Sequence, residues 1–91
     1  MRRVNGRFEI RNKLGMHARA AAVLVQEAIK YGSEIKMRKG ELEVNAKSIM
    51  SVLQLAALQG EMVEVIAEGE DCEQALEALG NLIRNRFNEE E

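Results

Sequence analysis

"MVEVIAEGEDCEQALEALGNLIRNRF", Met62 to Phe87, changes its hydrophobic period partway along. From Met62 to Ala67, Val63, Val65 and Ala67 alternate with Met62, Glu64 and Ile66. A period of two is the mark of a strand with two distinct faces. From Glu68 to Phe87 the apolar residues recur at Leu76, Leu79, Leu82, Ile83 and Phe87, which draws the buried stripe of a helix. Asp71 stands at the expected N-cap, with Gln74 at the capping-box position. Gly80 weakens this helix slightly in isolation. The closing "NEEE" is expected to be frayed and solvated.

Upstream, Ser48 to Leu58 reads as a shorter helix closed by Gly60. If Val52, Leu55 and Ala56 point inward, Ile49, Met50 and Leu53 lie on its outer side. Two short strands precede it, Glu34 to Arg38 and Leu42 to Asn45, with "RKGE" between them as a hairpin turn in which Gly40 can take positive φ. Ala18 to Tyr31 is an alanine-rich helix with Ala18, Ala21, Ala22, Val25 and Ile29 on one face, and Gly32 is placed to end it in the left-handed conformation. Arg11 to Met16 is a loop. Val4 to Ile10 is a half-buried strand with Val4, Gly6, Phe8 and Ile10 on one side. The order β-α-β-β-α-β-α suits helices covering one face of a mostly antiparallel, four-stranded sheet, which makes the chain an α+β protein.

The bulk numbers fit one domain spanning residues 1–91. Aromatic residues are only 3%, so the core rests on Ala, Val, Leu, Ile and Met. A net charge of −2 speaks against nucleic acid as a partner. Cys72 is the only cysteine, which excludes an internal disulfide and a cysteine-based metal cluster and leaves it a packing role. No apolar run has membrane-spanning length and no signal-like segment follows the basic start, so the expectation is a cytoplasmic protein without membrane insertion. No metal set, catalytic pair or cofactor loop can be read from the spacing, so neither a metal, a cofactor nor an enzyme is expected.

The chain's only histidine, His17, stands in "GMHAR" at the start of the first helix. The first turn of a helix carries N–H groups without internal partners and favours anions. A phosphate on the imidazole could be held there, with Arg19 adding a charge-assisted contact and Gly15 letting the loop approach closely. The plain alternative is a surface histidine that helps cap the helix. The spacing alone leaves both open.

"LGMHARAAA" together with "NAKSIMSVLQLAALQGEMVEVIAEGED" resembles the HPr family, the histidine-containing phosphocarriers of the bacterial phosphoenolpyruvate:sugar phosphotransferase system. The resemblance runs through nearly the whole chain and implies the HPr-like open-faced β-sandwich. It implies that His17 is phosphorylated at Nδ1, receiving the group from phospho-enzyme I and passing it to IIA components, while Arg19 steadies the phosphate. It makes Ser48, in "NAKSIMS", the match of the regulatory position used by HPr kinase/phosphorylase, where a plain N-cap is the simpler reading. It places Gly15, Ala18, Ala20, Lys47, Ile49, Met50 and Leu53 at the surface that docks enzyme I, IIA proteins and transcription regulators, on a monomer. Two departures stand out. Ala20 occupies the position where the family usually has proline, and Gln26 and Ile29 stand where enteric-type members have lysines. "NKLGMHAR" also resembles the nitrogen-related NPr branch, so a regulatory phosphorelay is the rival reading. A pure binding module docking regulators through the second helix is another, and it predicts that His17 is dispensable.

Overall fold

The computed structural model describes residues 2–91. The elements are β1 (Arg3–Glu9), α1 (Ala18–Ala28), β2 (Glu34–Lys39), β3 (Leu42–Asn45), α2 (Ile49–Leu53), β4 (Met62–Glu68) and α3 (Cys72–Arg84), followed by a short turn of left-handed backbone, Arg86–Asn88. The four strands form one sheet in the order β1-β4-β2-β3, with every pairing antiparallel. The last strand of the sequence is thus inserted between two earlier ones. The period-two pattern of Met62–Ala67 serves that position. Val65 pairs with Gly6 on one side and Met37 on the other, and Met37 pairs in turn with Val44. Val63, Val65 and Ala67 are buried, as are Ile35 and Met37. A hairpin joins β2 to β3 through Gly40, whose φ is +60°.

The helices lie over one face of the sheet and close the core with Leu24, Val52, Leu79 and Ile83, all fully buried. Truncating one such residue to alanine costs about 2–5 kcal/mol. Gly80 turns out to be a packing requirement: a Cβ there would lie 2.6 Å from the Phe8 ring. The helix-weakening glycine lets α3 come down onto β1. The Arg84 guanidinium then sits 5.1 Å from the centre of the same ring. Cys72 is fully buried at the start of α3.

Several local expectations are corrected. The buried stripe of α1 is Ala20, Ala21, Leu24, Val25 and Ala28, while Ala18 and Ile29 are exposed and Ala22 is half-buried. Alanine is small enough to sit on either face of a helix, and the larger Leu24 and Val25 both lie on the buried side. The helix also stops at Ala28, before Tyr31. Gly32 does not adopt the left-handed conformation, and its N–H is held by Asp71 Oδ2 at 2.9 Å. That bond explains a second correction. Asp71 makes no side-chain cap for α3. Its carboxylate instead accepts from the Gly32 and Ser33 N–H groups and the Ser33 hydroxyl, which together hold its pKa below the usual range, the hydroxyl bond most of all. Finally, α2 ends after one and a half turns. Ala56 has φ +48° and is exposed, and Ala57 turns inward in its place. No helix among the described residues is long and apolar enough to cross a membrane.

Candidate functional site

His17 is the N-cap of α1, with extended backbone at φ −79° and ψ 178°. Its carbonyl accepts the first helical bond, from Ala21 N–H at 2.9 Å. Ala18, Arg19 and Ala20 are therefore the first three helical residues, whose N–H groups have no helical acceptor. One of them is used locally: Arg19 N–H donates to His17 Nδ1 at 3.3 Å. The ring nitrogen facing the helix start therefore accepts one amide N–H and carries a lone pair.

The loop before it is shaped by Gly15, whose φ is +67°. A Cβ at this position would lie 2.6 Å from the Ala57 carbonyl oxygen. The close approach lets Met16 N–H donate to that same oxygen at 2.9 Å. Asn12, fully buried, donates from Nδ2 to the Gly15 carbonyl at 2.7 Å. Its Oδ1 is buried without a partner. The loop carrying His17 is thus clamped to the segment after α2 at one point and braced from within at another.

The other side of the ring meets a residue 72 positions further along the chain. His17 Nε2 lies 2.6 Å from Glu89 Oε2. The side chains are only 26% and 13% exposed. Glu89 Oε1 accepts from Asn12 Nδ2 at 3.1 Å. Glu89 is therefore seated, which corrects the expectation of a frayed tail at that residue, while Asn88, Glu90 and Glu91 are exposed as expected. The direction of the chain end is set by Arg86, Phe87 and Asn88, with φ of 57°, 54° and 66°. Left-handed backbone costs non-glycine residues about 1–2 kcal/mol each. Burial of Phe87, 3% exposed, offsets part of this by roughly 1.5–3 kcal/mol. Beyond the turn, Lys13 N–H donates to the Glu91 backbone oxygen, and Lys13 Nζ lies 3.9 Å from the Glu91 carboxylate. A hollow of about 340 Å³ results, lined by Lys13, Leu14, His17, Arg19, Glu89 and Glu91. Periodicity could not reveal this tail, because three glutamates after an aromatic residue carry no amphipathic signal. The only usable hint was Phe87, too large and apolar to be left in water.

The remaining candidate residues divide. Arg19 and Ala18 are exposed at the mouth of α1. Ala20 is fully buried, so its side chain faces the core; its expected place on a docking surface is corrected. Gly15 is likewise buried and acts by shaping the loop. Ser48 is the half-buried N-cap of α2, its Oγ accepting from Ser51 N–H at 3.3 Å. Lys47 is tied down, its Nζ donating to the Tyr31 carbonyl at 2.7 Å. Ile49 and Met50 are exposed, Met50 by 73%, while Leu53 is half-buried against the core. Leu14 and Leu58 are also exposed, by 67% and 63%. Gly15 packs on Ala57 and Leu58, so these two leucines stand on adjoining segments. Among the described residues no group of three or more His, Cys, Asp and Glu side chains is placed to hold a metal ion.

The chain matches the family model described as "PTS HPr component phosphorylation site" over residues 4–85. It is 51% identical over 81 residues to the phosphocarrier protein HPr of Xylella fastidiosa, covering 89% of this chain and 91% of that one. It is 43% identical to the HPr-like protein Crh of Bacillus subtilis, covering 89% and 95%. Its structure is similar to the crystal structure of HPr-C-His from Thermoanaerobacter tengcongensis, with a TM-score of 0.90 over the full length of both chains and 47% identity. A sheet order, a helix-capping histidine and these likenesses agree: the chain belongs to the HPr family and is a phosphocarrier of the phosphotransferase system.

Proposed function

We propose that His17 Nδ1 is the phosphoacceptor and that the phosphoryl group comes from phospho-enzyme I and leaves to a IIA component. The single observation that carries this reading is the position of Nδ1, which accepts the Arg19 N–H at the start of α1 and so holds its lone pair among unpaired helical amides. In the forward step the Nδ1 lone pair attacks phosphorus in line, a new N–P bond forms, and the donor keeps the electron pair of the bond that breaks. Little covalent chemistry is needed from the protein, so positioning and charge stabilisation dominate. As the phosphoryl group arrives, the Arg19 N–H is released from Nδ1 and can bind a phosphoryl oxygen. The amides of Ala18 and Ala20 point the same way along the helix axis. Proline at position 20 would remove one donor, so alanine here gives an additional N–H. The Arg19 guanidinium, exposed on the rim of the hollow, supplies the clamping charge.

Ile49, Met50 and Leu53 form the apolar part of the docking surface for both partners, and the exposed Leu14 and Leu58 extend it. Methionine suits a surface that must fit more than one partner. Ser48 is the regulatory phosphosite: a phosphoserine there would place negative charge beside Ile49 and Met50 and oppose docking of acidic partners.

The test is incubation with phosphoenolpyruvate and enzyme I, followed by a search for an acid-labile, alkali-stable adduct. An adduct on the wild-type chain that is absent from His17→Ala is expected. An undiminished adduct on His17→Ala removes the reading.

A further inference from the structure

We infer that Glu89 is a positioning residue for phosphoryl transfer at His17, holding the imidazole in the tautomer that leaves Nδ1 free. The inference rests on the proposal that His17 Nδ1 is the phosphoacceptor. The two ring nitrogens meet opposite partners. Nδ1 accepts an amide N–H, from Arg19, so it carries no proton. Nε2 faces a carboxylate oxygen at 2.6 Å, which can only accept, so Nε2 carries the proton. The hydrogen bond at one nitrogen decides what the other can do.

Glu89 is itself held. Its second oxygen accepts from the buried Asn12, and Asn12 is anchored on the Gly15 carbonyl. A chain of contacts therefore runs from the loop through Asn12 and Glu89 to the ring, joining residues 72 and 77 positions apart in sequence. The carboxylate lies on the ring edge opposite Nδ1, so it does not compete with the incoming phosphoryl group. Its charge gains a partner during the step. When Nδ1 bonds to phosphorus and Nε2 keeps its proton, the ring becomes cationic, and Glu89 stands in contact with that new charge. On onward transfer the N–P electron pair returns to Nδ1, the ring becomes neutral again, and no proton has moved. Lys13, Arg19 and Glu91 complete the charged groups around the hollow, and none of them is placed at Nε2.

The experiment compares the full chain with Glu89→Ala and Glu89→Gln, each checked for an unchanged fold by its amide NMR spectrum. Imidazole ¹⁵N–¹H spectra of the wild type should show a single Nε2–H tautomer with a slowly exchanging Nε2 proton. That slow exchange should be lost in Glu89→Ala and partly kept in Glu89→Gln, whose amide oxygen still accepts. The rate constant for phosphorylation at saturating enzyme I should fall about 10-fold in Glu89→Ala, the scale typical for partners that orient a functional histidine. The KM for enzyme I should stay within about 2-fold, since the Glu89 side chain is turned onto the His17 ring and only 13% exposed. Glu89→Gln should fall in between. A wild-type Nε2 proton that exchanges as fast as in Glu89→Ala, or phosphorylation on His17 at an unchanged rate in Glu89→Ala, overturns this inference and leaves the phosphoacceptor reading intact. Phosphorylation of the wild-type chain at a residue other than His17 overturns both.

Discussion

Two helix starts in this protein use a side chain as N-cap, and they are built differently. Ser48 caps α2 by a purely local bond, its hydroxyl accepting from Ser51 three residues on. His17 caps α1 with its ring, but the ring is also held by Glu89, and its loop by Ala57 and Asn12. The helices behind them differ as well, 11 residues for α1 against 5 for α2. A local cap can be exchanged at small cost. A cap that also carries chemistry needs its orientation fixed from outside its own helix.

The contrast can be broken most severely at His17. His17→Ala should abolish phosphorylation by enzyme I while leaving a folded chain, measured by the adduct assay beside a thermal melt. Gly15→Ala comes next. A Cβ close to the Ala57 oxygen, on left-handed backbone, should cost about 2–4 kcal/mol and slow phosphotransfer, read from denaturant unfolding and the same assay. If stability falls and transfer does not, the clamp on the His17 loop is structural only. Ser48→Ala should cost about 1 kcal/mol, a drop of roughly 4–8 °C in Tm, with phosphorylation of His17 unchanged. A fall in transfer comparable with that of Gly15→Ala would show that the two caps are not independent. Ala20→Pro should change stability by less than about 1 kcal/mol and keep phosphoacceptance, because the first helical turn tolerates proline. Failure to fold would mean that the buried Ala20 site cannot take the ring.

The smallest effect concerns neither cap but the loop that follows α1. Asp71 has a lowered folded pKa, so its ionised form stabilises the fold above the unfolded carboxylate value of about 4. That contribution is lost as pH falls through the lower folded value. Tm profiles of the wild type and Asp71→Asn should therefore differ near neutral pH and converge in acid. Parallel profiles throughout would show that Ser33 and Gly32 do not hold the carboxylate in solution.

Much of this was legible along the chain. The period-two run at Met62–Ala67 and the hairpin at Gly40 are local signals, and the structure contains both. The family motifs around His17 and Ser48 were legible too. What periodicity missed has consistent causes. Alanine is small enough to face either way, so the buried side of α1, with Leu24 and Val25, shows only in the packed structure. Ala56 has left-handed backbone that nothing in its identity announces. The position of Asp71 before a helix suggests a cap because a cap is local, whereas its partners in the structure, Gly32 and Ser33, lie 38 or more positions away.

The sequence by itself determined the element order, the sheet-and-helix class and the histidine at a helix start, because each follows from side-chain spacing or from a contiguous motif. Only the tertiary structure decided which strands are central, how closely Gly80 approaches the Phe8 ring, and what faces Nε2 of His17. Those depend on residues such as Phe8 and Gly80, or Asn12 and Glu89, that meet only after the chain has closed on itself. A tail of glutamates is solvent-seeking as a composition; a left-handed turn anchored by buried Phe87 makes one of them a partner of the functional ring.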